Sequence, residues 1–514
     1  MSQRAPTAPP MDDPAWCWRA TLVLAAGLTL LRLVALFATP LEFYPDEAQY
    51  WLWSRELHWG YVSKPPLIAW LIWASTRIGG DAEAWVRLSA PLVHVIPMLA
   101  LHCTAQRLYG PRAGLLAAAL YGLMPAVQVS ALFIATDAPL MACLTLALWA
   151  YVALWQEADA GRRRLIAAAF GAALGAAFLA KYAAAYLVIG AALHTLTDRQ
   201  ARRAWSDGAW LAALAALALV FGPNLVWLAG HHFVTVAHTT EVNARWTSGQ
   251  MFNPGKLLEF VLGQLGVMGP IPFAVLIGGA VILALRKALA AEDRLLLWQS
   301  LPPVLIVSAQ AFISRAHAHW AAAGYLAGAV LVAGWLVRWR ARRWTGATLA
   351  LQGLAAALVL IVVAAPSVLD ATGNGRRLAR VRGWGDSASI VAAAARTMAA
   401  TGGITAVAVE DRYVFNELAY YGRGYFTAPG SAPLRMRPPE GRALNEAELT
   451  APLRPDETRR VLIAETDGKP AQPRLPADFA RVQALGHWDL PVGGGRLRTV
   501  RLYLAEGPLT SERR

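Results

Sequence analysis

The residues of this 514-residue sequence that could do chemistry begin with two adjacent carboxylates and a lysine set against two prolines. Asp46 and Glu47 stand in the run Phe43-Tyr44-Pro45-Asp46-Glu47-Ala48-Gln49-Tyr50-Trp51. A carboxylate within reach of a hydroxyl can take its proton as a general base. The plainer reading is a pair of acids in a helix first turn, started by Pro45 and favoured by the dipole. Lys64 closes Gly60-Tyr61-Val62-Ser63-Lys64 and precedes Pro65-Pro66, which hold it on an extended segment. Its ammonium can hold a phosphate as a point charge; an interfacial lysine that snorkels looks the same in sequence. Asp137, in Ala135-Thr136-Asp137-Ala138-Pro139, can orient a substrate or a metal, or simply cap a helix that proline starts. Lys181 interrupts a long apolar segment, where an ionisable residue implies a carboxylate or phosphate partner.

A further group lies in the loop from Asn224 to Trp246, with His231, His232, His238, Glu241 and Arg245. His317 and His319 add two more imidazoles, but no spacing among them is a zinc pattern. Arg315 can clamp a phosphate by its planar fork. Cys17, Cys103 and Cys143 each lie in an apolar run without metal or redox spacing, so they read as buried and inert. Gly493-Gly494-Gly495 is a turn signal, since no strand and helix flank it as a nucleotide loop requires.

Positioning these groups falls to membrane helices. Hydrophobic residues make up 56% of the chain and charged residues 16%, against about 25% charged in soluble domains. The net charge of +14 sits in short basic clusters between apolar runs, which is the positive-inside signature and argues against nucleic acid as a partner. Hydropathy predicts about eleven spans, over 17–38, 86–108, 112–132, 138–156, 165–180, 182–196, 209–229, 258–286, 295–313, 318–337 and 345–366. Residues 65–78 are too short for a span and read as an interfacial helix. The polar segment 1–16 is expected as a cytoplasmic tail, 17–366 as the transmembrane catalytic domain and 39–85 as its first outer loop. Basic clusters flank 165–196 on both sides, which predicts two short spans with Lys181 and Tyr182 at an outer turn. After Pro366 the apolar runs stop, and 367–514 reads as a soluble periplasmic α/β domain. Its expected strands are 404–409, 460–464 and 499–504, its helix 387–400, with a loop-rich stretch over 434–455.

The motifs PDEAQYW (45–51) and SKPPL (63–67) in the first outer loop resemble the bacterial family 39 glycosyltransferases. These are relatives of protein O-mannosyltransferases and of the lipid A aminoarabinose transferase. TDAPL (136–140), the AKYAA turn (180–184), the PNLVWLAGHHFVTVAHT loop (223–239), the AHWAAAGYLA segment (318–327), RGWGDSA and DRYVFNELAYY are similar to that group too. The resemblance implies a GT-C fold in the inner membrane with the N-terminus cytoplasmic. It also implies inverting transfer of a sugar from a polyprenyl-phosphate carrier; the acceptor expected here is an envelope glycolipid or polysaccharide. It assigns Asp46 as the catalytic acid–base, with Glu47 its neighbour and Asp137 the second acid. Lys64, Lys181 and Arg315 then hold the donor phosphate. His319 stands where many relatives have Asn, so it is kept with Tyr61 and His238 as a contact for the acceptor or the loop. No cofactor is read from the residues themselves; the resemblance admits a divalent metal ion, as in some relatives. The readings that compete are a protein O-mannosyltransferase and a transporter or flippase of lipid-linked sugars. A transporter should show inverted repeats and midplane charges, whereas the ionisable residues here gather at the expected outer mouths.

Overall fold

The computed structural model describes residues 12–238, 252–437, 443, 445–466 and 479–507. Its first helix, α1 (Pro14–Ala38), starts where Asp13 accepts a hydrogen bond from the Ala15 amide, with proline in the first turn. Its 25 residues span about 37 Å, enough for a hydrocarbon layer of about 30 Å. Six more stretches are also long and apolar enough to cross a membrane: Glu83–Tyr109, Asp137–Gln156, Ala160–Ala180, Ala209–Gly230, Ala291–Ile313 and Arg342–Ala364. The count among the described residues is thus seven, or eight with one bent pair, and the expected eleven is not matched.

The differences have local causes. The segment expected as one span over 258–286 is two helices, Pro254–Val267 and Pro270–Leu285, turned 115° from each other. Gly269 takes φ +100° there and Pro270 offers no amide to continue the first helix. The segment 112–132 breaks between Gly122 and Pro125, because proline holds Met124 out of the helical region. The break within 165–196 lies where the basic flanks put it: Lys181 is extended between the Ala160–Ala180 helix and a short turn into Ala185–Thr197. Gly171 and Gly175, one turn apart, let the helices Ala160–Ala180 and Ala209–Gly230 touch backbone to backbone. Around them Tyr151, Leu148, Tyr325 and Trp335 fill a continuous apolar core.

Two shorter helices shape the first loop: α2 (Pro45–Trp53) and the apolar α3 (Leu67–Gly79). Beyond the last long helix, a five-stranded mixed sheet has the order β2-β1-β3-β5-β4. The strands are β1 (Ala406–Val409), β2 (Leu434–Met436), β3 (Arg460–Thr466), β4 (Arg481–Gly493) and β5 (Arg496–Glu506). β1 runs parallel to β2 and β3, with Val407 beside both Leu434 and Leu462; β3 and β4 run antiparallel to β5. Gly493, Gly494 and Gly495 make the β4–β5 turn, all at positive φ, as the turn reading requires. Helices Trp384–Thr401 and Arg412–Tyr421 cover one face through Trp384, Val391, Val414, Phe415 and Leu418.

This sheet domain is clamped to the first loop. The Glu42 carboxylate accepts from the Trp384 and Gly385 amides at 2.6 and 2.9 Å. The Tyr421 hydroxyl accepts from the Phe43 amide at 2.8 Å, and Glu446 from the Val62 amide at 2.8 Å. Phe43, Trp51, Trp53, Tyr61, Ile68 and Tyr420 form one buried apolar cluster across the seam.

Candidate active site

The start of α2 decides which of its two carboxylates is available. Tyr44 is extended, Pro45 occupies the first turn, and Glu47 reaches back to accept from the Tyr44 amide at 2.9 Å. Glu47 also accepts from Arg87 Nε at 2.9 Å, from Arg87 Nη2 at 2.7 Å and from the Ile134 amide at 2.9 Å. Arg87 donates in addition to the carbonyls of Leu41 and Glu42. Both side chains are about 1% exposed. Glu47 was expected as a catalytic neighbour; its oxygens are instead spent on a buried fork that ties α2 to the Glu83–Arg87 turn and to the segment entering the Asp137 helix. Asp46, one residue earlier, is partly exposed, and among the described residues no cation lies within ion-pair distance of it.

Lys64 enters from the other side of the loop. The Tyr61 amide donates to its carbonyl at 3.1 Å, and the Pro65-Pro66 pair leads directly into α3. Among the described residues it too has no carboxylate within ion-pair distance, yet it is ringed by charge. Burial first, then Lys181, push its ammonium below the usual lysine range; Asp46 and Asp137 act the other way, and Arg412 adds to the push.

Asp137 and Lys181 meet. Lys181 Nζ lies 2.8 and 3.0 Å from the two Asp137 oxygens, with side chains 19% and 22% exposed. The cap reading of Asp137 is therefore replaced: Thr136 is the cap residue, Asp137 begins the helix, and its carboxylate goes to Lys181 rather than to a backbone amide. His319 lies on the exposed wall of the same cluster, within the fields of Asp137, Lys181 and Lys64. Its ring stacks against His317 at 5.7 Å.

The other expected residues are placed elsewhere. Arg315 acts on His317 and Glu259, and is not among the charges acting most strongly on Asp137 or Lys64. Tyr61, expected as an acceptor contact, is 1% exposed: its ring stacks on Trp53 at 4.5 Å and its hydroxyl meets the Trp53 and Glu56 carbonyls at 2.9 Å each. His238 closes a helical turn that Thr235 ties to the Tyr61 carbonyl at 2.9 Å; Glu241 and Arg245 lie outside the described residues. Among the described residues no three His, Cys, Asp or Glu side chains converge.

One member of the cluster escaped the sequence reading. Arg412 opens a helix of the sheet domain, where Asp411 caps the chain by accepting from the Tyr413 and Val414 amides. It shares the fields of Asp46, Tyr50 and Lys64. The sequence analysis places no helix there, and nothing local to it shows that it docks on α2. The cluster can take a proton at Asp46 and hold an anion beside it.

Comparison with known proteins agrees with this architecture. Residues 63–227 match the family model described as dolichyl-phosphate-mannose-protein mannosyltransferase. The lipid A galacturonosyltransferase RgtD of Rhizobium johnstonii is 33% identical over 486 residues, which cover 94% of this chain and 98% of that protein. The crystal structure of ArnT from Cupriavidus metallidurans bound to undecaprenyl phosphate aligns with a TM-score of 0.63 at 16% identity, over 94% of this chain and 97% of that one. The apo structure of ArnT aligns at 0.61 and 18% identity, over 95% and 98%. The two alignments show a shared fold, helical in the membrane with a small sheet domain after it. With identity to RgtD over nearly its whole length, the chain belongs to the GT-C glycosyltransferases.

Proposed function

We propose that this enzyme moves a sugar from a polyprenyl-phosphate carrier to a lipid A-type glycolipid, with inversion, at the outer face of the inner membrane. The observation that carries the reading is that Asp46 and Lys64, neither with an ion-pair partner among the described residues, lie within each other's field beside the closed Asp137–Lys181 pair. The name of RgtD supports the acceptor, and the carrier captured in the ArnT structure supports the donor class.

The prenyl tail stays in lipid while its phosphate rests at the interface. Asp46 takes the proton of the acceptor hydroxyl as that oxygen attacks the anomeric carbon from the face opposite the phosphate. The bond from that carbon to the phosphate oxygen breaks, its electron pair leaves with the carrier phosphate, and Lys64 stabilises the charge that gathers there. One principal carboxylate suffices, because no covalent sugar–enzyme intermediate forms. Asp137 and Lys181 are closed on each other beside these two groups. In this reading 1–16 is cytoplasmic, 17–366 is the membrane domain and the domain 367–514 is periplasmic, covering the site.

Mass spectrometry of lipid A from cells with and without the protein tests this directly. The expected result is a glycosylated species that disappears on deletion, returns with the wild-type gene and stays absent with Asp46→Asn. An unchanged lipid A profile, with glycosylated envelope protein lost instead, would transfer the reading to the O-mannosyl class named by the family model.

A further inference from the structure

Within the site just proposed, the charges do not balance. Lys181 and Asp137 cancel each other. Asp46 remains, against two cations, Lys64 and Arg412, and among the described residues neither has a carboxylate at ion-pair distance. A donor in which phosphate links sugar to prenyl carries one negative charge. The phosphate that leaves is a monoester and carries about 1.5 to 2 at neutral pH. With Asp46 ionised the two cations offset that carboxylate and the donor; as the bond breaks Asp46 takes the acceptor proton, and both cations are left to the leaving phosphate.

The geometry of Arg412 suits that task. The capped first turn fixes its backbone, and Nη2 donates to the Tyr413 hydroxyl at 2.9 Å while the guanidinium lies 4.7 Å from that ring. One turn further, Asn416 meets Gln49 at 3.5 Å, so the face of this helix that bears Arg412 is laid against the face of α2 that bears Asp46. With Nη2 on the phenol, other donors of the fork remain for a phosphate.

We propose that Arg412, carried by the C-terminal sheet domain, is a second phosphate-binding cation of the carrier site, so that the site is complete only with that domain docked on the first loop. This inference rests on the carrier reading above. Lys64 and Arg412 hold the phosphate between them, and Arg412 gains most as the sugar-to-oxygen bond breaks. The anion could reach Arg412 from two sources, the carrier or a phosphorylated acceptor; the charge excess beside Lys64 assigns it to the carrier.

The experiment uses full-length protein in lipid nanodiscs, with undecaprenyl phosphate and undecaprenol as paired probes in native mass spectrometry. Wild type is expected to prefer the phosphate, and Arg412→Ala to lose at least tenfold in affinity for it with undecaprenol binding unchanged. Arg412→Lys should recover part of the loss. Tyr413→Phe, which keeps the cation and frees it from the phenol, should bind at least as well as wild type and controls for folding of the helix. Undiminished phosphate binding by Arg412→Ala, while Lys64→Ala loses it, overturns the inference and leaves the carrier reading standing. Unchanged carrier binding with a raised requirement for acceptor also overturns it, by moving Arg412 to the acceptor. A wild type that does not distinguish the two probes overturns both.

Discussion

Asp46 and Glu47 are the same kind of side chain one bond apart in sequence, and they have opposite fates. Glu47→Gln leaves Arg87 buried without its counter-charge, which costs about 3–5 kcal/mol. We therefore expect a large drop in the thermal unfolding midpoint in detergent for that variant. Asp46→Asn should leave the midpoint where it was and lower turnover by about 10²–10⁴ fold, the usual worth of a positioned base; equal destabilisation by both substitutions would remove the distinction. Lys64 gives a pH test. Its folded form sheds its proton below the usual lysine range, chiefly because burial disfavours the cation. Carrier affinity should accordingly fall as pH rises through that lowered value, earlier than an ordinary lysine would allow, and Lys64→Arg should push the alkaline limb upward. By linkage the unfolded chain binds more protons in that window, so the buried Lys64 penalises stability below it and the penalty fades as pH rises. Asp46 and Lys64 were legible in sequence because their neighbours, the prolines and aromatics, are unusual. That Glu47 is structural was not, because its partners Arg87 and Ile134 lie 40 and 87 residues away.

Among the elements, the close crossing of Ala160–Ala180 with Ala209–Gly230 is the most exacting. A Cβ on Gly171 would fall inside the Ala213 carbonyl oxygen, so Gly171→Val must part the helices. Overpacking of this kind costs about 1–3 kcal/mol or more, and a lowered melting temperature with poorer yield is expected. Gly222→Ala, on the second helix with nothing within 4 Å of its Cβ, should be silent. The break at Lys181 could be read in advance because basic residues on both flanks demanded it. The turn at Gly269 was carried by a Gly-Pro pair that hydropathy averages away. β4 was missed because most of it is exposed on both faces, and no alternation of apolar and polar residues marks it. Helix Arg412–Tyr421 was missed as a site element for another reason: its role is set by the surface it lies on.

At the scale of the molecule, the sheet domain is fastened to the first loop by backbone amides of that loop and of the Trp384 helix and by the aromatic cluster around Phe43 and Tyr420. Glu42→Ala removes the carboxylate that satisfies two first-turn amides of that helix and should cost about 0.5–2 kcal/mol. The expected signature is faster proteolysis of the sheet domain with the membrane helices intact, and a matching loss of carrier binding. Sequence composition marks the boundary near Pro366 because the apolar runs end there. It does not say that the second unit lies on the first loop, since the amides, the Glu42 carboxylate and the Phe43 ring that make the contact find their partners more than 300 residues away.

The fork between Glu47 and Arg87 carries a consequence for how the enzyme is made. Its two halves leave the ribosome 40 residues apart, and Ile134 must follow before the last donor arrives. Until then Glu47 lacks its full set of donors, and the start of α2 is not tied to the segment before the Asp137 helix. The first loop therefore completes its packing only once the Asp137 helix follows, so a chain cut short before Ile134 lacks that fixed start.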